Sequence, residues 1–138
     1  MKTKANRLVA LLLTLFIIGT FNVFSQQNIT QNKIKSVVVY DEKFDKLISK
    51  KLKESETYYD SRGNITEDIQ YTAGKIDKHF TYQYDSENNK IKETELDSSG
   101  RVIKTSEYKI EKGMRTEKIV YDANMKIKSK KTYIYTTY

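Results

Sequence analysis

The sequence predicts an all-β fold: an antiparallel meander of repeated hairpins forming an open, curled or partly single-layer sheet. Three observations carry that prediction. From about residue 33 onward the chain is rich in Tyr, Ile, Val and Thr, which suit a pleated surface, and its apolar residues recur with period two. Gly63, Gly74, Gly100 and Gly113 each lie between two strand-like runs and interrupt none. The turn units also repeat, with aspartates at 60, 85, 97 and 122.

The chain opens with the three parts of a secretory signal peptide, assigned to residues 1–25. Lys2, Lys4 and Arg7 form a basic region, and the apolar run Leu8–Ile18 follows. Those 11 residues fall short of the roughly 20 that span a bilayer. Val23 and Ser25 then occupy the −3 and −1 positions of a cut before Gln26. The expectation is export to the periplasm, the cell surface or the medium, with no transmembrane span in the mature chain. The whole chain carries a net charge of +7, and loss of three basic residues with the leader leaves +4. Both signs are interleaved, so nucleic acid is not an expected partner. There is no cysteine, which excludes disulfides and a thiol-linked lipid anchor.

Residues 26–32 are polar and unpatterned and read as a flexible lead-in. The hairpin-repeat domain is assigned to residues 33–138. Residues 41–54 admit two readings. Phe44, Leu47, Ile48 and Leu52 have helical spacing with Asp41 as a cap, whereas the repeat makes Asp41–Asp45 a turn and Leu47–Tyr58 a strand. The strand is preferred. Further on, Ile65, Ile69 and Tyr71 fall on one face by alternation, as do Ile76, Phe80, Tyr82 and Tyr84.

Asp60 and Asp97 each precede a glycine by three residues, Gly63 and Gly100. The carboxylate can accept a backbone N–H two residues on, a type I turn can follow, and glycine can supply the left-handed residue of a bulge. Gly74 and Gly113 mark the turns between these units. The four aspartates are spaced 25, 12 and 25 residues apart, so the underlying unit is one strand plus one turn.

The segments Tyr59-Asp60-Ser61-Arg62-Gly63-Asn64-Ile65 and Leu96-Asp97-Ser98-Ser99-Gly100-Arg101-Val102 resemble the YD repeats of RHS-type proteins, which read Tyr-Asp-x-x-Gly-Arg/Asn-apolar. Residues 84–91 and 121–127 resemble them with an insertion and a lost glycine, and Tyr40-Asp41 is a weaker echo. The resemblance implies an antiparallel sheet residing outside the cytoplasm. The family's long shells and toxin cargo have no counterpart in so few units.

The later strands lack a clean apolar face. By alternation Val102, Tyr108 and Ile110 share one with Lys104 and Ser106, and Ile127, Tyr133 and Tyr135 share one with Ser129 and Lys131. This argues against a two-layer sandwich. Lysines on both faces of the last strand argue against a lipid-facing barrel, where each would cost roughly 2–4 kcal/mol at the midplane. That strand is instead a lysine-protected edge.

The composition leaves little room for catalysis. A lone histidine, His79, reads as a solvated strand residue, and with no cysteine a His/Cys zinc site cannot be built. Glu93 and Glu95 share a face but sit among lysines, as ordinary surface charges do. No cofactor is expected. Two features suit binding: the tyrosines Tyr82, Tyr84, Tyr108, Tyr133 and Tyr135, which can form rows across strands, and the basic cluster Lys126, Lys128, Lys130 and Lys131. The expectation is an exported, non-catalytic envelope or secreted binding module, with envelope polysaccharide or an envelope protein as partner. The alternative is an accessory protein whose sheet edge pairs with a larger partner.

Overall fold

The computed structural model describes residues 26–44 and 49–138. The expected leader, residues 1–25, and residues 45–48, with Leu47 and Ile48, lie outside them. Eight antiparallel strands form one meander sheet in chain order. They are β1 (Ser36–Phe44), β2 (Ser49–Tyr59), β3 (Ile65–Thr72), β4 (Lys75–Tyr84), β5 (Lys90–Leu96), β6 (Val102–Glu111), β7 (Met114–Asp122) and β8 (Ile127–Thr132). Each strand pairs with its neighbours in sequence, so β1 and β8 are the edges of an open sheet. The expected turn at Asp41–Asp45 is not formed over its described part. Asp41 pairs with Leu52 and Phe44 with Ser49, so the Tyr40-Asp41 echo lies inside β1.

The aspartate turns share one geometry. In each, Asp N–H donates to the carbonyl four residues on, and Asp C=O accepts from the amide three residues on. Asp Oδ1 accepts two further amides, as at Asp97, where the Ser99 and Arg101 N–H groups lie 2.8 and 3.0 Å away. The residue before closure takes a positive φ of 79° at Gly63 and 83° at Gly100, and of 73° at Asn88 and 61° at Met125. Position, more than glycine, defines the motif. Ala73-Gly74 and Lys112-Gly113 are two-residue turns with positive φ at both positions, the geometry that matches strand twist.

The ladder slips by one residue in every hairpin. The unpaired residues are Glu54, Thr66, Asp77, Ile91, Ile103, Thr116 and Lys128. After an aspartate turn the bulge is the second residue of the incoming strand, and after a two-residue turn it is the third. An extra residue raises local twist and inverts the alternation on one side of it. This overturns four face assignments made from period two. Ile65 lies opposite Ile69 and Tyr71, Ile76 opposite Phe80, Tyr82 and Tyr84, Val102 opposite Tyr108 and Ile110, and Ile127 opposite Ser129 and Lys131.

Pairing defines two faces. The front carries Phe80, Tyr82, Tyr84, Lys90, Glu93, Tyr108, Arg115 and Lys118, and the back carries Glu56, Ile69, Tyr71, His79, Ile119 and Lys130. The sheet has almost no core. Among the described hydrophobic residues only Ile29 and Tyr108 are buried, joined by the polar Asn64, Thr105 and Ser106. Cohesion therefore comes from the ladder and from cross-strand pairs. Lys104–Glu95 at 2.5 Å and Lys130–Glu117 at 2.9 Å are two of these.

Residues 26–31 form a short helix where the polar composition suggested a flexible lead-in. It closes on Lys33, with φ 52°, as the Ile34 amide donates to the Ile29 carbonyl. Ile29 is its single apolar anchor, and Gln26 Nε2 donates to Asn64 Oδ1 at 3.1 Å. Asn64 in turn donates to Asp60 Oδ2 and Asn88 Oδ1, and Arg62 reaches the carbonyls of Asp85 and Ser86. One buried asparagine thus ties the helix to two adjacent turns.

A candidate anion-binding face

The centre of the front face is the Tyr108 ring in β6, which is 8% exposed. Three cations cover it: Arg115 Cζ at 4.2 Å, Lys118 Nζ at 5.4 Å and Lys90 Nζ at 5.6 Å from the centroid. Lys90 also lies 4.9 Å from the Tyr82 ring, bridging β4 and β6. Such contacts are worth about 0.5–1 kcal/mol each at exposed sites.

The bulges assemble this cluster. Residues three apart on a regular strand point to opposite faces. The bulge at Ile91 brings Lys90 and Glu93 to one face, where they pair at 2.7 Å. The bulge at Thr116 does the same for Arg115 and Lys118. A third case is Lys53 and Glu56 across Glu54, paired at 2.6 Å on the back.

Lys90 is neutralised by Glu93. Burial pushes the Glu93 carboxyl up, but the Lys90 ammonium more than offsets this and holds it below its usual range. Lys118 stands directly opposite Lys131 of β8 in the ladder. Among the described residues, no carboxylate lies within ion-pair distance of Arg115, Lys118 or Lys131. Arg115 Nε is buried with no hydrogen-bond partner. Like charges directly opposite each other are unfavourable, and an unmatched buried donor costs about 1–3 kcal/mol. The arrangement is short of negative charge.

The expected binding residues are only partly brought together. Tyr82, Tyr84 and Tyr108 share the front face, with Phe80 stacked on Tyr82 at 6.4 Å. Tyr108 is covered by cations and offers no free ring. Burial, with Glu93 and Asp68 nearby, pushes the Tyr82 hydroxyl up to about 12. Burial also raises Tyr84, whose hydroxyl donates to the Ile65 carbonyl at 3.0 Å. Tyr133 and Tyr135 follow β8, and the Tyr135 hydroxyl donates to the Arg115 carbonyl at 2.8 Å, beside the cluster. The expected lysine cluster is divided. Lys126 sits in a turn, Lys128 is a bulge, and Lys130 faces the back against Glu117. Only Lys131 joins the front-face cations. Period-two reading missed Lys90, Arg115 and Lys118 because the bulges place them.

Other chemistry is already engaged. His79 is not the solvated residue expected: its side chain is 13% exposed and lies 2.6 Å from Glu67 on the back. Glu93 and Glu95 share the front face, as alternation predicts, each with a lysine. Among the described residues no group of three His, Cys, Asp or Glu side chains is placed to hold a metal ion, and no helix is long and apolar enough to cross a membrane. A cleft of about 770 Å³ lies between residues 29–35 and the β2–β3 hairpin. Its acidic residues, Asp60 and Glu67, are committed to their turn and to His79.

No protein-family model matches the chain, and no curated protein matches it.

Proposed function

We propose that this is an exported, non-catalytic binding module whose front face takes an anionic, extended envelope polysaccharide. The observation that carries the reading is the group Arg115, Lys118 and Lys131, which among the described residues has no carboxylate within ion-pair distance and lies beside a buried tyrosine on an open face. An extended polyanion suits an open sheet better than a small ligand does, because the cations spread along β7 and across to β8 can be met in succession. Half-buried Tyr82 and Tyr84 border the cluster and supply flat apolar surface for sugar rings. The four matching aspartate turns support kinship with YD repeats and, with the leader-like N-terminus, a place outside the cytoplasm.

Binding of polygalacturonate and of neutral dextran to the exported protein tests this. Polygalacturonate should be retained at low salt and lost as salt rises, as charge screening dictates. Arg115→Gln combined with Lys118→Gln should weaken it roughly tenfold, whereas Lys130→Gln on the back should not. Equal retention of dextran, or indifference to the double substitution, would sink the proposal.

A further inference from the structure

The two edges of the sheet differ in kind. β8 presents Lys128, Lys130 and Lys131 within its 6 residues, the usual protection against edge pairing. β1 has 9 residues, none of them proline, and the stretch Ser36-Val37-Val38-Val39-Tyr40 carries no charge. Val37, Val38, Val39 and Tyr40 are all exposed. The bulge of the first hairpin belongs to β2, so β1 itself is regular. A long, regular, apolar edge is a template for another strand.

Its hydrogen-bonding phase is set by the structure. The Lys35 carbonyl accepts the Tyr59 amide at 2.9 Å, so Lys35, Val37 and Val39 direct their backbone groups toward β2. Ser36, Val38 and Tyr40 therefore direct theirs outward.

We propose that two copies of this chain join through β1, antiparallel about a two-fold axis at Val38. In that register Val38 meets its own copy and Ser36 meets Tyr40 of the second copy, so every pair of outward-facing residues is hydrogen-bonded. Val37 meets Val39 between them. At each end Lys35 meets Asp41, opposite charges on the front face. The neighbouring registers lack this match. An axis at Tyr40 sets Val38 against Glu42 and Val37 against Lys43, and an axis at Ser36 sets Lys35 against Val37. The apolar sequence, the outward backbone groups and the flanking charges all select the same axis. Two eight-stranded sheets then become one continuous sheet.

Sedimentation of the exported protein over a wide concentration range tests the pairing. A monomer–dimer equilibrium is expected. Lys35→Glu alone and Asp41→Lys alone should each weaken it roughly tenfold by setting like charges opposite, and the double exchange should restore it. Val38→Pro should abolish it while sparing the β1–β2 ladder, because the lost N–H points outward. A protein that is monomeric throughout, or a dimer indifferent to the charge exchanges, overturns the proposal. So does a monomer whose β1 captures a strand from another protein.

Discussion

At Gly63 an added Cβ would lie 2.8 Å from Thr30 Cγ2 and 3.1 Å from the Gln26 carbonyl. At Gly100 it would meet nothing within 4 Å, although the φ values are 79° and 83°. The two sites separate backbone strain from packing. Gly100→Ala should cost about 1 kcal/mol for the left-handed conformation alone. Gly63→Ala should cost more and detach residues 26–31, which denaturant midpoints and proteolysis near Gln26 will show. Glu56 is a second informative residue. Its carboxylate accepts from Lys53 Nζ at 2.6 Å, Tyr71 OH at 2.5 Å and Tyr58 OH at 3.0 Å, and these hydrogen bonds hold its pKa down to about 2. A carboxyl depressed in the folded state contributes stability that is present above its unfolded value and lost as pH falls through the folded one. Wild-type stability should therefore fall between about pH 4.5 and pH 2 by more than that of Glu56→Gln, measured as urea midpoints.

The strand with its bulge is the unit that repeats. Turn and bulge keep a fixed offset, so the face reached by each incoming strand is set within two or three residues of the turn. Arg115 depends on this most. Deleting Thr116 would leave Arg115 opposite Ile110 and Glu117 opposite Lys109, each on its present face, so removal of the Arg115 side chain is the sharper test. Arg115→Ala should leave the far-ultraviolet β signal in place, lower stability by about 1 kcal/mol through the lost cation–π contact, and weaken polyanion binding. Unchanged binding would show that Arg115 does not serve the site. The turns themselves were legible in the residues, because Asp followed by a flexible position is a local hydrogen-bonding device. The bulges were not, because Thr66, Asp77, Ile91, Ile103, Thr116 and Lys128 share no side-chain chemistry. A slip of the ladder is a property of two strands together.

Over the whole molecule, each strand packs principally against its sequence neighbours. Stability in such an array is close to a sum of nearest-neighbour terms, and the ends open before the middle. Amide hydrogen exchange should be slowest in β5 and β6, where Thr105, Ser106 and Tyr108 are buried, and fastest in β8. A dimer through β1 should slow exchange at Ser36, Val38 and Tyr40 as concentration rises, since those amides point outward. Uniform exchange across all strands would contradict the nearest-neighbour picture.

The amino-acid sequence by itself determined the all-β class, the positions of the aspartate and glycine turns, the meander order and the lysine-protected β8 edge. All of these rest on local propensity or on neighbours in the chain. The tertiary structure decided which face each side chain takes, and so split the Lys126–Lys131 cluster and gathered Lys90, Arg115 and Lys118 over Tyr108. It also turned residues 26–31 into a helix, because Ile29 and Gln26 find partners in a hairpin more than 30 residues away. The physical reason is the same throughout. A one-residue slip of the ladder leaves local chemistry unchanged and inverts everything that depends on which side of the sheet a residue occupies.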